Sequence, residues 1–340
     1  MADAVRYGLV GYGSGGRIFH APLIASAPGI EFVGVVTRSP ERRAQLPDGV
    51  AAYDSIADLA AAGAQAVTVS TPAATHAALA LEAIALGLAV VVDKPFALDA
   101  EAAREVVTAA ADAGVLLTAY QNRRWDSDFR TVQRLIGEGA IGEVRRFESR
   151  FERWTPHREV RAAGGGTLLD LGAHLVDQAI LLSGPVTRVY AEMHGAERLD
   201  DDTFVALHHA SGVESHLWGS LRQAAPGPRF RVSGSTGTYI VDGVDHMDTQ
   251  EALLKAGRTP AGLGDRWGVE PEHAWGRLHR GATGAPVPSE RGRWDLFYPA
   301  VAQAVRGEGP MPVDPQDAIR TMVVLDAARE SARTGRTVTF

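Results

Sequence analysis

Over the first 120 residues, short unbroken apolar runs alternate with stretches of helical periodicity. Val5 to Val10, Phe32 to Val36, Ala66 to Ser70, Ala89 to Val92 and Val115 to Tyr120 are the runs. Continuous rather than alternating, they have the pattern of parallel strands covered on both faces. Helix signals fall between them. Ser39-Pro40-Glu41 offers an N-cap, a proline at the first helical position and an acid in the first turn. Ser55-Ile56-Ala57-Asp58 has capping-box-like spacing, and Gly87 and Gly114 stand where glycine C-terminal caps belong. Strands and helices in this alternation require crossovers, and predict an α/β Rossmann domain with a doubly wound parallel sheet.

After Tyr120 the texture changes. A helix is expected from about Arg124 to Ile136, followed by a partly alternating strand, Glu143 to Phe151, and an apolar helix from about Leu168 to Leu182. Val186 to Glu192, Thr203 to His209, Val213 to Leu221, Arg229 to Ser233 and Thr238 to Val241 suit antiparallel strands. Together they predict an α+β domain with a largely antiparallel open sheet, and a division into residues 1–121 and 122–340. From Lys255 to Gly292 glycine, proline and charge dominate, which reads as a functional excursion or a disordered loop rather than core. Asp314-Pro315 opens a last long helix.

Composition narrows the function classes. A chain of 340 residues can form two cores, and 45% apolar with 22% charged residues is the balance of a folded protein. The net charge of -7 speaks against a nucleic-acid footprint and against anionic membrane surfaces. Met1-Ala2-Asp3-Ala4-Val5 lacks the basic flank and apolar stretch of a secretory signal, and no apolar run reaches the ~20 residues of a membrane span, so cytoplasmic residence is expected. With no cysteine there are no disulfides, thiolate nucleophiles or cysteine-based metal sites. The eleven histidines show no zinc-protease frame, there is no calcium loop, and no metal is expected.

Gly11-Tyr12-Gly13-Ser14-Gly15-Gly16 fits G-x-G-x-x-G, between a strand ending at Val10 and a helix patterned by Ile18, Phe19, Leu23 and Ile24. Gly11 would permit the tight turn, Gly13 the approach of backbone amides to a pyrophosphate, and Gly16 close packing of the helix on the sheet. A helix N-terminus there offers N–H groups and partial positive charge to phosphates. At the end of the second strand, where an acid would bind the ribose 2′-hydroxyl of NAD, stands Thr37-Arg38-Ser39. A guanidinium can fork onto a 2′-phosphate, with the hydroxyls of Thr37 and Ser39 adding donors, so NADP(H) is expected over NAD. The plainer alternative leaves Ser39 as a helix cap and Arg38 as a solvated charge.

Two further segments carry candidate chemistry. Asp93-Lys94-Pro95 follows a strand at the sheet edge where open α/β folds place ligands, and a lysine there can orient a substrate oxygen or move a proton. The second runs from Gly164 to His174, three glycines leading into a helix that is apolar nearly all round but for Asp170, His174 and Asp177 at helical spacing. Ionisable groups on a buried helix are costly unless paired or functional. Asp170 has a capping role open to it as N3 of a Thr167 cap, and His174 that of a hydrogen-bonded core histidine.

With these motifs the chain resembles the Gfo/Idh/MocA family of oxidoreductases over nearly its whole length. The likeness rests on Gly11-x-Gly13, Ser70-Thr71-Pro72 with His76, Asp93-Lys94-Pro95 and Asp170-x-x-x-His174. Within the family it looks most like the NADP-linked scyllo-inositol dehydrogenase group, through Gly11-Tyr12-Gly13 with Phe19-His20-Ala21-Pro22, Tyr120 to Asp126, and Leu254 to Arg258. The resemblance implies catalysis by Lys94, Asp170 and His174 at the nicotinamide ring. It implies a cofactor cleft lined by Ser70, Thr71, Pro72, His76, Asp93, Pro95, Asn122 and Trp125. The family pattern commonly reads Glu-Lys-Pro, so Asp93 keeps the charge with a shorter reach. Trp125, Arg153, Trp154, His157 and Tyr298 are candidates for a sugar pocket, and His20 for a place near the phosphates or a cap on the first helical turn. The expected reaction moves a hydride between the nicotinamide and a secondary alcohol or ketone of a polyol or sugar, in a homo-oligomer joined through the C-terminal sheet. A non-catalytic NADP-binding regulator and a cofactor-assisted glycosidase are the alternatives.

Overall fold

The computed structural model describes residues 3–157, 165–196, 199–242 and 249–340, in two compact units. The first takes the described part of Met1–Gln121 together with Leu253–Asp265 and Trp294–Ile319. The second takes the rest: Asn122–Ala252, Arg266–Arg293 and Arg320–Phe340. Two stretches of the segment 122–340 therefore belong with the first unit.

The first unit is built on six parallel strands: β1 (Val5–Val10), β2 (Ile30–Val36), β3 (Ala51–Tyr53), β4 (Ala66–Val69), β5 (Ala89–Val92) and β6 (Leu117–Ala119). Their spatial order, β3-β2-β1-β4-β5-β6, is that of a doubly wound dinucleotide-binding sheet, with the order reversing between β1 and β4. Every residue of β4 and β5 is buried, as their unbroken apolar sequences require. The short β3 has exposed or half-exposed residues and so leaves no apolar run to read. The helix signals act as written. Ser39 Oγ accepts from the Arg42 N–H (3.3 Å), and Ser55 Oγ accepts from the Asp58 N–H (3.1 Å) while donating to the Asp58 carboxylate (2.7 Å). The returning segment Trp294–Ile319 adds the helix Phe297–Val305, whose Phe297, Tyr298, Val301 and Ala302 are buried. Thr118 Oγ1 donates to the Val313 carbonyl (2.8 Å).

Among its described residues the second unit carries nine strands: β7 (Val144–Glu152), β8 (Val186–Ala196), β9 (Leu199–His209), β10 (Glu214–Ser220), β11 (Phe230–Gly234), β12 (Thr238–Val241), β13 (Gly276–His279), β14 (Gly284–Val287) and β15 (Val338–Thr339). They lie in the order β14-β13-β12-β11-β7-β10-β9-β8-β15, antiparallel but for β7 beside β10. Residues of β9 alternate between buried and half-buried, the mark of a sheet with one covered face. The buried face holds Phe147, Phe151, Val205, Leu207, Leu217 and Phe230. Arg229 is buried there too. Its guanidinium lies 3.9 Å from both the Phe151 and Phe230 ring centroids, and donates to Ser149 Oγ (2.6 Å) and Gln178 Oε1 (3.0 Å).

Two expectations need correction. The stretch from Lys255 to Gly292 is neither an excursion nor a plain loop: it holds the helix Pro260–Leu263, a fully buried Trp267 and the β13–β14 hairpin that extends the sheet. The apolar helix expected from Leu168 to Leu182 is two pieces, Gly166–Asp170 and Gly172–Ser183, joined at Leu171. Gly165, not Thr167, is the N-cap of the first piece. Thr167 Oγ1 instead donates to the Asp200 carboxylate (2.7 Å), which also accepts from the Leu168 N–H (2.7 Å).

Candidate functional site

The predicted cofactor residues of the first unit gather on one edge of its sheet because each follows directly on a strand. Gly11 follows β1, Thr37 follows β2, Ser70 follows β4 and Asp93 follows β5, so all lie at the carboxyl ends, where open α/β sheets bind ligands. Main-chain bonds hold these exits in place: Gly11 N–H to Val36 O (3.0 Å), Ser70 N–H to Val10 O (2.8 Å) and Asp93 N–H to Val69 O (2.9 Å).

The glycine turn has the shape its sequence demands. Gly11 has φ +97°, and a Cβ on it would come within 2.3 Å of the Ser70 carbonyl oxygen. A Cβ on Gly16 would strike the Gly11 carbonyl at 2.2 Å, whereas one on Gly13 would meet nothing within 4 Å. The turn is thus crowded on its protein side and open at Gly13, a cradle that fits a pyrophosphate against backbone amides. From Gly15 to His20 the chain winds as a π-helical turn, a form frequent at functional sites, before the α-helix Ala21–Ala25. Tyr12 is buried, its hydroxyl 3.4 Å from the Gln45 carbonyl, and Ser14 precedes the π-turn without a side-chain cap bond.

At the β2 edge Thr37 is buried and Arg38 exposed, with Arg38 Nε 3.4 Å from the Asp54 carbonyl. Arg43, which sequence reasoning passed over, lies beside them: its Nε donates to the Thr37 carbonyl (2.8 Å) and its Nη2 pairs with Asp54 (2.5 Å). Its signal was the helix begun by Ser39, which brings position 43 back toward the strand end. Around β4 and β5, the ring nitrogens of buried His76 sit 2.8 Å from the carbonyl oxygens of Pro95 and Thr71, tying the Thr71-Pro72 turn to the Lys94-Pro95 turn. Thr71 Oγ1 is 2.7 Å from Thr75 Oγ1. Asp93 Oδ1 accepts from the Lys94 N–H (2.8 Å), and Oδ2 accepts from Ser70 Oγ (2.8 Å) and meets His20 Nε2 (3.0 Å). Burial pushes the Asp93 carboxyl up, but His20, His76 and Lys94 together hold it well below the usual carboxylate range.

The structure sets His20 and Tyr298 side by side in the interior of the first unit. His20 is 1% exposed and caps nothing with its side chain; its Nδ1 lies 2.6 Å from the Tyr298 hydroxyl. Tyr298 is equally buried, with its hydroxyl also 3.1 Å from Thr68 Oγ1, so it belongs to this unit's interior rather than to a sugar pocket. The two residues stand 278 positions apart, and no local pattern could have joined them.

In the second unit, the turn Asn122–Trp125 is fixed by charge. Arg123 pairs with Asp126 (3.1 Å) and Glu251 (2.6 Å), and Arg124 makes a two-pronged bond to Asp177 (2.8 and 2.5 Å). Asn122 is buried, and the Trp125 carbonyl accepts from the Arg293 N–H (2.9 Å). Asp177 thereby has a structural use. Asp170, half-buried, ends the first helical piece, and buried His174 lies on the second, its ring 6.2 Å from that of Phe151 and edge-on to it. Arg153 is 3.8 Å from Glu251. Trp154 is 58% exposed and His157 exposed, while Gly164 lies outside the described residues. Among the described residues, no group of three or more His, Asp or Glu side chains is placed to hold a metal ion, and no helix is long and apolar enough to cross a membrane.

A doubly wound sheet bearing the glycine turn at its order reversal defines a dinucleotide-binding oxidoreductase domain. Residues 5–121 match the family model for oxidoreductases with an NAD-binding Rossmann fold, and residues 129–240 that for the GFO/IDH/MocA C-terminal domain. Among curated relatives, scyllo-inositol 2-dehydrogenase (NADP(+)) IolW of Bacillus subtilis is 31% identical, over 99% of this chain and 96% of that protein. The uncharacterized oxidoreductase YdgJ of Escherichia coli is 35% identical over 98% of each. Inositol 2-dehydrogenase of Rhizobium meliloti is 32% identical over 70% of this chain and 76% of its own. The solved structure of the Bacillus subtilis protein yvaA superposes with a TM-score of 0.91 at 29% identity, covering 100% of this chain and 99% of that one. The chain belongs to the Gfo/Idh/MocA family of oxidoreductases.

Proposed function

We propose that the protein is an NADP(H)-dependent dehydrogenase that interconverts a secondary alcohol and a ketone on a polyol or sugar of the inositol type, in the cytoplasm. The observation that carries the reading is the gathering of Ser70, Thr71, Pro72, His76, Asp93 and Lys94 about a glycine turn open at Gly13, beside the exposed Arg38. The named inositol dehydrogenases among the relatives support the substrate class, and the NADP(+) in the name of one supports the cofactor.

A bound nicotinamide supplies the hydride acceptor or donor. Lys94 hydrogen-bonds the reacting oxygen and stabilises its developing negative charge. His174 takes the hydroxyl proton, since an imidazole works near neutrality, and Asp170 orients that imidazole. The converse assignment makes Lys94 the proton acceptor and His174 the partner of the reacting oxygen. Ser70, Thr71, Pro72, His76, Asp93, Pro95, Asn122 and Trp125 line the cofactor, and Arg153, Trp154 and His157 are the remaining sugar-pocket candidates. Arg38, Thr37 and Ser39 take the 2′-phosphate, for which a guanidinium fork is suited. The assembly is a homo-oligomer, a dimer or tetramer, through the open face of the nine-stranded sheet, where Phe204, His216 and Trp218 form a half-buried aromatic cluster. Light scattering on the purified protein checks it, and a monomer rejects it.

A panel of inositols, aldoses and their ketone or lactone products, followed by absorbance of the reduced nicotinamide, tests the activity. Net reduction of NADP+ by a polyol is expected, and its absence across the panel rejects the reading. With the active substrate, kcat/KM is expected to favour NADP+ over NAD+, and Arg38→Ala to erode that preference about tenfold or more. His174→Ala is expected to lower kcat by about 100-fold or more with little change in cofactor binding. Intact turnover in that variant removes His174 from the chemistry.

A further inference from the structure

Six polar side chains of the first unit lie on one hydrogen-bond path. The Tyr7 hydroxyl is 2.9 Å from Thr68 Oγ1, which is 3.1 Å from the Tyr298 hydroxyl, itself 2.6 Å from His20 Nδ1. His20 Nε2 then meets Asp93 Oδ2 at 3.0 Å, and Ser70 Oγ reaches the same oxygen at 2.8 Å. Tyr7, Thr68, His20 and Tyr298 are all buried.

Proton counting gives the path a direction. A carboxylate oxygen only accepts, so His20 Nε2 must be the donor to Asp93. With the ring proton on Nε2, Nδ1 accepts from the Tyr298 O–H. The Tyr298 oxygen then accepts from Thr68, and Thr68 from Tyr7, so that every donor is used. Were His20 Nδ1–H to donate instead, Tyr298 would turn toward Thr68. Thr68 Oγ1 would then either accept from both phenols or itself turn toward Tyr7, and in each case one of the three buried O–H groups loses its acceptor on the path. Burial also raises both phenols above their ordinary range, so each keeps the proton it has to donate.

We propose that His20 and Tyr298 are positioning residues: their one-way hydrogen-bond chain orients the Asp93 carboxylate, which in turn sets the Lys94 turn against the glycine loop. The proposal rests on the reading of Lys94 as a catalytic group. Asp93 reaches that group through Oδ1, which holds the Lys94 N–H at 2.8 Å. It reaches the loop through Oδ2, which with Ser70 Oγ fills the space where Gly15 would carry a Cβ (3.4 and 2.9 Å). Because the far end is the buried Tyr7, the chain orients Asp93 rather than conducting protons to solvent.

The test uses the full chain. Ring 15N NMR of labelled histidine is expected to show His20 as the Nε2–H tautomer, and Tyr298→Phe, which keeps the ring and deletes one oxygen, to shift the Nδ1 resonance as its hydrogen bond is lost while Asp93 still holds the proton on Nε2. In kinetics with NADP+ and the active polyol, Tyr298→Phe is expected to lower kcat about tenfold while KM for NADP+ stays within about twofold. His20→Leu is expected to lose about 100-fold in kcat. His20→Gln, whose amide still donates to Asp93, is expected to stay within about threefold of wild type. The proposal is overturned by an Nδ1–H ring in the wild type, by a Tyr298→Phe enzyme of unchanged kcat, or by His20→Gln being no better than His20→Leu. Should His20→Leu not fold, the Tyr298→Phe and His20→Gln arms decide. If the wild type turns over no polyol, the proposed function fails, and the tautomer measurement still settles the chain.

Discussion

Gly11 shows how little freedom a single position can have. Its φ of +97° already disfavours any side chain, and the Ser70 carbonyl occupies the place of a Cβ. Gly11→Ala is expected to destabilise the fold by about 2 kcal/mol or more, read as a lowered urea midpoint, and to weaken dinucleotide binding in the same protein. An unchanged midpoint contradicts the crowding. The three glycines were legible from sequence because strand, turn and helix bracket them within a few residues. His20 was not, because its meaning depends on Asp93 and Tyr298, which the chain supplies far downstream. The polar triad on the apolar helix was half legible. Its ionisable residues stood out, yet the guanidinium that meets Asp177 comes from Arg124 on another element.

At the scale of elements, legibility followed burial. The strands β1, β4 and β5 read plainly because both faces are covered, so their residues are almost all apolar. The β13–β14 hairpin did not, since its residues are mostly exposed or half-exposed and carry glycine, proline and arginine. The joint at Leu171 was invisible because apolar residues continue across it. Where a charge enters the core, packing and hydrogen bonding must both compensate it, and Arg229 between two phenylalanines is the clearest instance. Arg229→Ala leaves a cavity and strands Ser149 and Gln178, with an expected loss of about 3–5 kcal/mol in urea unfolding. Arg229→Met, which refills the space, is expected to lose less. Equal losses would show that the lost hydrogen bonds outweigh the packing.

For the whole molecule, the depressed Asp93 carboxyl ties stability to acidity. Its folded value lies below the unfolded value of about 3.9, so its stabilisation is complete above that value and disappears as pH falls through the folded one. The stability gap between wild type and Asp93→Asn is therefore expected to be widest near neutrality and to narrow below about pH 4. A gap that widens on acidification would reverse the sign of the argument. The first unit also draws on three separate lengths of chain, and the buried Phe297, Tyr298 and Val301 come from the last of them. During synthesis, the part of the polypeptide that leaves the ribosome earliest must wait for residues near the far end before its interior can close. The nascent nucleotide fold therefore spends most of translation with an open apolar flank, exposed to chaperones and to its neighbours. A fragment ending at Gln121 is expected to lack the near-ultraviolet circular dichroism of a packed core, and a cooperative, ligand-competent fragment would show that this late-arriving helix is dispensable.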